Sequence, residues 1–400
     1  MTEIRGTVEP GFEGVRDAFQ ANFDEHGEVG AGFCLYVDGR PVVDLTGGVR
    51  DLDGTPYDES TLQLVFSTTK GATAVCAHLL AQRGELDLDA PVTDYWPEFG
   101  AAGKTDVPVS WLLSHKSGVV DTSETLTLEQ ALDWDTVTEA LAASTPIWDP
   151  GTAHGYHAVT YGWLVGEVVR RVSGRDIGTF FQDEIAGPLG LDFWIGLPEE
   201  EEPRVSPLIP FSADGMGAVA KAFSAGDAPG TAPTNLMEML NQLLGEDNLA
   251  VKALSAPTGA FADENVWNER RVRAAQIPAV NGVTNASSLA RMYASLVSDI
   301  DGSRLLSKET LERAIQVQVD GPDRVIFVPI PFSLGFMRHS DFSPLIGGSS
   351  FGHYGAGGSL GFADPDRGIA AGYVMNQTLL GIAGDPRTAG LLQAIDRAVS

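Results

Sequence analysis

Hydrophobic residues change their spacing along the chain, and these changes predict alternating helices and strands. Phenylalanine and valine residues at near-helical intervals predict an amphipathic helix over residues 11–25. Two β-rich runs at 31–37 and 41–45 are joined by an Asp-Gly pair, which predicts a β-hairpin. A mostly apolar stretch then predicts a buried helix over 67–83 that ends at Gly84.

The middle of the chain shows helical spacing broken by irregular stretches. Residues 199–232 are rich in proline, glycine and acidic residues and predict a long excursion. The helices that we predict in this region and just after it cover 110–115, 126–143, 158–172, 235–244 and 285–297.

The last hundred residues return to short apolar runs separated by turn signals. We predict strands at 325–330, 333–338, 359–363 and 369–376, and a closing helix at 387–399. β-rich ends around a helical middle predict an α/β (α+β) fold, with one sheet built from both chain ends and a helical lobe inserted. We therefore expect an α/β lobe of residues 1–90 plus 285–400, and a helical lobe of residues 91–284.

Composition and charge narrow the class of protein. The chain has 400 residues, 43% of them hydrophobic, with 26 Lys and Arg against 54 Asp and Glu, for a formal charge of -28. An acidic surface repels nucleic acid and anionic membranes, so we expect neither as a partner. Cys34 and Cys76 fall in apolar runs and predict buried thiols, not a disulfide. No signal-peptide core or membrane-spanning run is visible, which predicts a cytoplasmic protein.

The segment Ser67-Thr68-Thr69-Lys70 carries the first candidate chemistry. Residues three apart share a helix face, so the Ser67 hydroxyl and the Lys70 amine can meet. Unpaired N–H groups and the dipole at a helix start stabilise a developing negative charge. This is the S-x-x-K arrangement of an acyl-transfer nucleophile. The alternative is an ordinary helix start with these side chains on its solvated side, and four residues alone do not decide.

Four further segments follow Ser67 in a fixed order. They are Trp111-Leu112-Leu113-Ser114-His115-Lys116-Ser117-Gly118, Gly155-Tyr156-His157-Ala158, the stretch 183–191 with a Gly-Pro-Leu-Gly-Leu turn, and His353-Tyr354-Gly355-Ala356. With S-x-x-K they resemble the serine β-lactamase and penicillin-binding-protein superfamily, and within it the class C-related family VIII carboxylesterases. The resemblance covers residues 55–200 and 280–376 and implies a β-lactamase-like fold with an antiparallel sheet.

The resemblance implies a role for each matching residue. Ser67 would be the nucleophile. Lys70 and Tyr156 would act together as one coupled base, and the sequence does not show which of the two holds the proton. The backbone N–H groups of Ser67 and Ala356 would form the oxyanion hole. No cofactor and no metal is implied.

Three positions in two motifs depart from the superfamily pattern and bear on the substrate. Ala158 replaces the asparagine of Y-x-N, and His353 and Tyr354, before Gly355, replace the lysine and the small hydroxyl of K-T-G. These positions would bind the substrate, and they are poor anchors for the carboxylate of a β-lactam. An uncharged ester needs no such anchor. We therefore expect a serine carboxylesterase that cleaves small to medium esters through an acyl-enzyme.

Other functions stay open on the sequence alone. The nearest are a β-lactamase, a D-alanyl peptidase or another amide hydrolase of the same superfamily, and an acyltransferase in which an alcohol replaces water. A ligand-binding protein that is acylated without turnover is a further alternative, although it would have no use for a paired base. The walls of the substrate pocket are expected from 199–280, and self-association into a homo-oligomer is left open.

Three other signals receive structural interpretations. His115 is expected to hold a loop, and His154 and His157 lack the further ligands of a metal site. The run 348–352 matches the G-x-S-x-G pattern of a nucleophile elbow. Such an elbow needs a helix after the serine, whereas strand-like sequence follows here, so Ser350 is not expected to be the nucleophile.

Overall fold

Strands from both chain ends form one antiparallel sheet. A computed structural model describes residues 2–210, 238, 241, 242, 245 and 248–400. The strands in that part of the chain are β1 (Ile4–Val8), β2 (Gly30–Val37), β3 (Arg40–Gly48), β4 (Gln63–Leu64), β5 (Phe193–Trp194), β6 (Val283–Thr284), β7 (Met337–Arg338), β8 (Phe351–Tyr354), β9 (Leu360–Asp364) and β10 (Ile369–Met375). The main sheet has the order β1-β3-β2-β10-β9-β8-β7, and β4, β6 and β5 form a smaller sheet.

Helices cover both faces of the main sheet. The described α-helices are α1 (Glu13–Glu25), α2 (Thr69–Gln82), α3 (Val109–Leu113), α4 (Leu128–Ala131), α5 (Trp134–Ala143), α6 (Thr160–Ser173), α7 (Ile177–Phe181), α8 (Gly187–Leu189), α9 (Leu249–Leu254), α10 (Arg270–Ala274), α11 (Ala286–Val297), α12 (Lys308–Ala314) and α13 (Pro386–Val399). Helix α11 packs on β2, β9 and β10, whereas α1 and α13 pack together on the other face. No described helix is long and apolar enough to cross a membrane.

A pair of glycines brings α11 close to the sheet. Gly361 of β9 and Gly372 of β10 are opposite each other in register. A Cβ on Gly372 would lie 2.5 Å from the Ala286 carbonyl oxygen, and one on Gly361 would lie 2.5 Å from the Tyr293 ring. Larger residues would push α11 away, so these glycines help to set the position of the helix against the sheet.

The local signals in the sequence predicted many of these elements. Asp38 and Gly39 of the first hairpin have φ of 47° and 76°, the positive values that a tight primed turn requires. The hairpin, α1, α6, α11, β9, β10 and α13 lie where the sequence predicts them. The fold is the predicted α/β arrangement, with an antiparallel sheet built from both chain ends and flanked by helices. The exact division into two lobes stays a prediction.

Several expectations need correction. The helix predicted over 126–143 is divided into α4 and α5, and strand β1 was not predicted. Residues 325–330 are not a strand, and only the last two residues of 333–338 are. Asp323 explains why residues 325–330 do not form a strand. Its Oδ1 accepts hydrogen bonds from the N–H groups of residues 325 and 326 and turns the chain. The helix predicted over 235–244 and most of the excursion lie outside the described residues.

Candidate active site

Ser67 lies in a tight turn whose backbone is strained. The turn Phe66–Thr68 is a 3-10 helix that leads directly into α2, so Ser67 precedes the α-helix in which the sequence placed it. Phe66 has φ of 44°, a left-handed conformation that costs about 1–3 kcal/mol for a residue with a side chain. The Thr69 hydroxyl donates a hydrogen bond to the Phe66 carbonyl at 2.5 Å. The surrounding contacts thus maintain a strained backbone next to the candidate nucleophile.

Lys70 is buried beside Ser67. Its Nζ lies 3.0 Å from Ser67 Oγ, 2.6 Å from the Ala158 carbonyl oxygen and 3.1 Å from the Ala279 carbonyl oxygen. A neutral amine has two N–H groups and one lone pair. When the two carbonyls accept the two N–H groups, the lone pair is left for the Ser67 hydroxyl. The geometry therefore suits an amine that accepts the serine proton.

Burial favours the neutral form of this amine. The Lys70 side chain is fully buried, and the loss of hydration holds its pKa well below the ordinary value of 10.5. No carboxylate among the described residues forms an ion pair with Lys70 that would restore its charge. A desolvated lysine can act as a base near neutral pH.

Tyr156 lies against Lys70 and contacts Ser67. The Lys70 Nζ is 4.8 Å from the centroid of the Tyr156 ring, and the Ser67 hydroxyl acts on the pKa of the Tyr156 phenol by lowering it. Burial raises the pKa of the Tyr156 phenol, so the phenol is protonated at neutral pH. The Tyr156 N–H donates to Asp323 Oδ1 at 3.1 Å, which fixes this segment of backbone. The structure thus brings together all three predicted catalytic side chains.

The two predicted oxyanion-hole residues, Ser67 and Ala356, line the same cavity. Ala356 follows Gly355 in a turn that closes when the Gly358 N–H donates to the Gly355 carbonyl at 3.1 Å. The Ala356 N–H itself donates no hydrogen bond to the described residues. A Cβ on Gly355 would lie 2.2 Å from the Val65 carbonyl oxygen, so a glycine is needed where this turn approaches the chain before Ser67. The arrangement leaves the Ala356 N–H available for an oxyanion.

The cavity beside Ser67 has a volume of about 110 Å³ and mainly apolar walls. Phe66 packs edge-on against Trp267 with 5.5 Å between ring centroids, and Phe261 stacks on Trp267 at 4.9 Å. Asn268 is polar, but its side chain is already bonded to both backbone groups of Leu208. Aliphatic residues that also line the cavity are Val159, Leu208, Leu254, Val280, Leu379 and Leu380. Such walls suit an apolar substituent.

The comparisons with known proteins show the family of the chain. The model of the family described as Beta-lactamase matches residues 15–394. The chain belongs to this family. It is 35% identical over 384 residues to Esterase/beta-lactamase LipL of Mycobacterium tuberculosis (strain ATCC 25618 / H37Rv), and the match covers 94% of this chain and 83% of LipL.

Two solved structures of this β-lactamase-like fold are similar over almost the whole chain. A family VIII carboxylesterase is 37% identical with a TM-score of 0.84, and the match covers 99% of this chain and 100% of the other. A penicillin-binding protein homologue from Caulobacter crescentus is 35% identical with the same TM-score of 0.84 and the same coverage of both chains. The predicted fold is therefore confirmed.

The predicted substrate contacts of this Beta-lactamase family member occupy different environments. Ala158 lines the cavity and also binds Lys70 through its carbonyl. His353 and Tyr354 are neighbours on β8 and therefore face opposite sides of the sheet. The His353 ring stacks on the Tyr156 ring at 6.0 Å, behind the cavity wall. The Tyr354 hydroxyl donates to the Pro344 carbonyl at 2.5 Å, so the structure does not place Tyr354 at the substrate.

Gly355 likewise does not line the cavity. It packs against the backbone before Ser67, and its contribution is the close approach that positions Ala356. Among the four predicted substrate-binding residues, only Ala158 lies in the wall. His353, Tyr354 and Gly355 do not line this cavity, and their contact with substrate stays a prediction.

The histidines near the site have structural contacts. His115 has φ of 60°, its Nδ1 accepts from the His157 N–H at 3.2 Å, and its ring packs against Tyr156. His157 Nδ1 lies 2.7 Å from the Gly155 carbonyl oxygen and its Nε2 lies 2.9 Å from Ser117 Oγ. Burial lowers the pKa of His157 to about 4, so it is neutral at pH 7. The histidines hold the segment that carries Tyr156, as the sequence suggested for His115.

Ser350 has a structural environment as well. Its hydroxyl donates to Asp364 Oδ2 at 2.6 Å and accepts from the Gly347 N–H at 3.0 Å. The residue is buried and lies outside the wall of the catalytic cavity. The G-x-S-x-G match therefore marks a turn before β8, in agreement with its dismissal from the sequence.

Sequence reasoning missed some residues that shape the site. The expectation that 199–280 supplies pocket walls is confirmed by Leu208, Leu254, Phe261 and Trp267, although no motif singled them out. Residues 378–380 of the wall were not predicted. Asp323 was also missed, and a lone aspartate in a loop gives no signal that it will bind the backbone of Tyr156.

Proposed function

We propose that this chain is a serine carboxylesterase that cleaves small to medium esters through an acyl-enzyme on Ser67. The observation that carries the proposal is the position of the Lys70 amine. It is desolvated, held by two carbonyls, and within hydrogen-bond distance of a serine that borders an apolar cavity. These are the requirements for an activated hydroxyl nucleophile.

In acylation, Ser67 Oγ attacks the ester carbonyl carbon and gives its proton to the coupled pair of Lys70 and Tyr156. The N–H groups of Ser67 and Ala356 stabilise the oxyanion, a contribution of about 2.7–4 kcal/mol for one such donor. When the tetrahedral intermediate collapses, the bond from carbon to the alcohol oxygen breaks. The pair then returns the proton to that oxygen, and the acyl group stays on Ser67.

Deacylation repeats these steps with water. The pair of Lys70 and Tyr156 takes a proton from a water molecule as its oxygen attacks the acyl carbon. Collapse of the second tetrahedral intermediate expels Ser67 Oγ, which takes the proton back. The net reaction consumes one ester and one water and releases one carboxylic acid and one alcohol.

The walls of the cavity favour uncharged, apolar substrates. Phe66, Phe261 and Trp267 form one wall, and aliphatic side chains form much of the remainder. Lys70, which lies 3.0 Å from Ser67 Oγ, is committed to the proton relay, and burial holds its pKa well below 10.5. A substrate carboxylate would therefore lose hydration without gaining a cationic partner from these residues.

β-Lactam hydrolysis is the second candidate, because the same nucleophile and base can open a lactam ring. The name of the relative LipL includes both esterase and β-lactamase. The absence of the Y-x-N asparagine at Ala158 is the feature that makes the ester the better substrate.

A labelling experiment tests the proposal directly. A fluorophosphonate should add to Ser67, and peptide mass spectrometry should locate the adduct there. Ser67→Ala should lose both the adduct and the hydrolysis of p-nitrophenyl butyrate. Ser350→Ala is the matched control and should retain both, whereas an adduct on Ser350 in the unmodified chain would overturn the assignment.

A further inference from the structure

Arg387 is completely buried although local forces oppose a cation at its position. It lies in the first turn of α13, and its side chain and that of Glu28 are both 0% exposed, while that of Asp385 is 8% exposed. The positive end of a helix dipole disfavours a cation in the first turn. Burial also removes the hydration of the charge. The two carboxylates offset these costs, but they do not explain why an arginine is needed here.

The other contacts of Arg387 connect it to the catalytic cavity. Its Nη2 donates to the Gly357 carbonyl at 2.5 Å, and its Nη1 donates to the Gln377 carbonyl at 2.8 Å. Gly357 directly follows Ala356, the predicted oxyanion-hole residue. Gln377 directly precedes Thr378 in the cavity wall. One guanidinium therefore joins the two backbone segments that border the cavity on this side.

The loop is shaped to accept this guanidinium. A Cβ on Gly358 would lie 2.3 Å from Arg387 Nη2, so a side chain there would displace the arginine. The Gly357 carbonyl also accepts from the Leu379 N–H at 3.0 Å. The Arg387 guanidinium and the Leu379 N–H together fix the peptide after Gly357, while the Ala356 N–H is left unbonded among the described residues. A rigid loop with one free donor is what electrostatic preorganisation of an oxyanion hole requires.

We infer that Arg387 is a positioning residue for the oxyanion hole: its guanidinium holds the turn at residues 355–358 so that the Ala356 N–H points at the developing oxyanion. The inference rests on the proposed esterase function. Arg387 does not touch the substrate. It acts through Gly357, and Glu28 and Asp385 hold its guanidinium in the required plane.

Arg387→Lys tests this role because lysine keeps the charge but cannot reach several acceptors in one plane. A positioning role predicts that kcat for p-nitrophenyl butyrate falls about ten- to a hundredfold, less than the loss of about 10²–10³-fold that follows removal of an oxyanion donor, because the donor is displaced and not removed. The KM should stay within about twofold, because the ground-state ester gains little from the hole. The inhibition constant of a trifluoromethyl ketone should rise in parallel with the loss of kcat, since its adduct with Ser67 carries an oxyanion.

Glu167→Gln is the matched control. Glu167 is a fully buried carboxylate on α6 that binds Arg170 and Arg171, outside the cavity wall. This variant should lower the melting temperature but leave kcat and the ketone inhibition constant within about twofold of the unmodified chain. If Arg387→Lys does not fold, the double variant Glu28→Gln with Arg387→Met can be used instead. It removes both charges of the buried Arg387–Glu28 ion pair, so neither residue is left buried as a charge without its partner. That double variant should show the same selective loss.

A folded Arg387 variant whose kcat and ketone affinity are unchanged would overturn the inference and make Arg387 a purely structural residue. That result would leave the proposed function intact, provided that hydrolysis still depends on Ser67. Hydrolysis that survives in Ser67→Ala would instead refute the proposed function itself. The two failures are therefore distinguishable in one set of proteins.

Discussion

The carbonyl oxygen of Ala158 lies 2.6 Å from Lys70 Nζ, and Ala158 also lines the cavity beside Ser67. This residue occupies the place of the asparagine in the superfamily's Y-x-N motif. Because the main chain makes the contact with the lysine, the amine can be oriented whatever side chain stands at 158. The side chain is thus free to vary with the substrate, while the base keeps its position.

The first prediction concerns Lys70 and Tyr156 as a single base. Lys70→Ala and Tyr156→Phe should each lower kcat for p-nitrophenyl butyrate by about 10²–10⁴-fold, the usual contribution of a general base. The double variant should be little worse than either single variant, because the two groups act as one unit. Steady-state kinetics of the three proteins check this, and near-normal turnover by Tyr156→Phe would show that the ring only packs.

Lys104 provides the control for burial of a lysine. It donates to the Ala142 carbonyl at 3.0 Å, and burial lowers its pKa to about 8, but it lies outside the cavity wall. Lys104→Ala should reduce the melting temperature and leave kcat within about twofold. A loss of kcat like that of Lys70→Ala would mean that the assay reports stability and not the relay.

The second prediction concerns the pH dependence of kcat/KM. Lys70 must be neutral to accept the proton, and burial holds its pKa well below 10.5. As pH falls through this lowered pKa the amine becomes protonated, so activity should be lost on the acid side and reach a plateau above it. Folding should also be favoured as pH rises towards 10.5, because the unfolded chain binds the proton more tightly.

A variant of His353 tests whether the acid limb of the pH profile, the loss of activity as pH falls, belongs to Lys70. Burial lowers the pKa of His353 to about 3, with the nearby Lys70 charge adding to the effect. His353 is therefore already neutral across the pH range of the assay. His353→Asn should leave the midpoint of the limb unchanged, and a shift of the midpoint in that variant would assign the limb to the histidine instead.

The elements that the sequence predicted well are those with local causes. Helix α11 begins where the Asn285 side chain accepts from the Ser288 N–H at 2.8 Å, a cap that is readable in the sequence. Residues 325–330 have the apolar composition of a strand, but the side chain of Asp323, just before the run, accepts two of their N–H groups and prevents a strand. Periodicity does not show which side chain will compete for a backbone donor.

In the candidate site, too, local spacing predicts some residues, whereas tertiary packing alone brings others together. Ser67 and Lys70 are three residues apart, so their meeting follows from helical geometry. The alternation of strand side chains could have shown that His353 and Tyr354 do not both face the substrate. Trp267 lies 200 residues after Ser67 in a segment without a motif, and only tertiary packing brings it to the cavity.

The third prediction concerns the apolar wall. Leu254, at the end of α9, is half-buried and lines the cavity. Leu254→Trp should fill part of the space, and kcat/KM for p-nitrophenyl octanoate should fall at least about tenfold more than for the acetate, the discrimination that a few methylene groups allow. Leu249→Trp changes a half-buried leucine of the same helix outside the cavity and should alter both esters equally. Equal losses in Leu254→Trp would place the acyl chain elsewhere.

The last prediction concerns the choice between esters and lactams. Hydrogen bonds to charged groups contribute about 1.5–3 kcal/mol, and the chain lacks both the asparagine of Y-x-N and the lysine of K-T-G. One lost contact of this kind costs lactam turnover about ten- to a hundredfold, whereas attack on an ester at Ser67 is unaffected. The kcat/KM for p-nitrophenyl acetate or butyrate should therefore exceed that for a chromogenic cephalosporin by at least about two decades.

Ala158→Asn is the variant that should narrow this gap, because 158 is the altered motif position that lines the cavity. The new amide can bind the amide of the cephalosporin, while the 158 carbonyl still holds Lys70, so the gain should appear for the lactam and not for the ester. Tyr354→Thr is the matched control, because the Tyr354 hydroxyl donates to the Pro344 carbonyl outside the cavity wall. This replacement should leave kcat/KM unchanged for both the cephalosporin and the ester. Comparable kcat/KM for the two substrates in the unmodified chain would reject the esterase preference and favour the β-lactamase alternative.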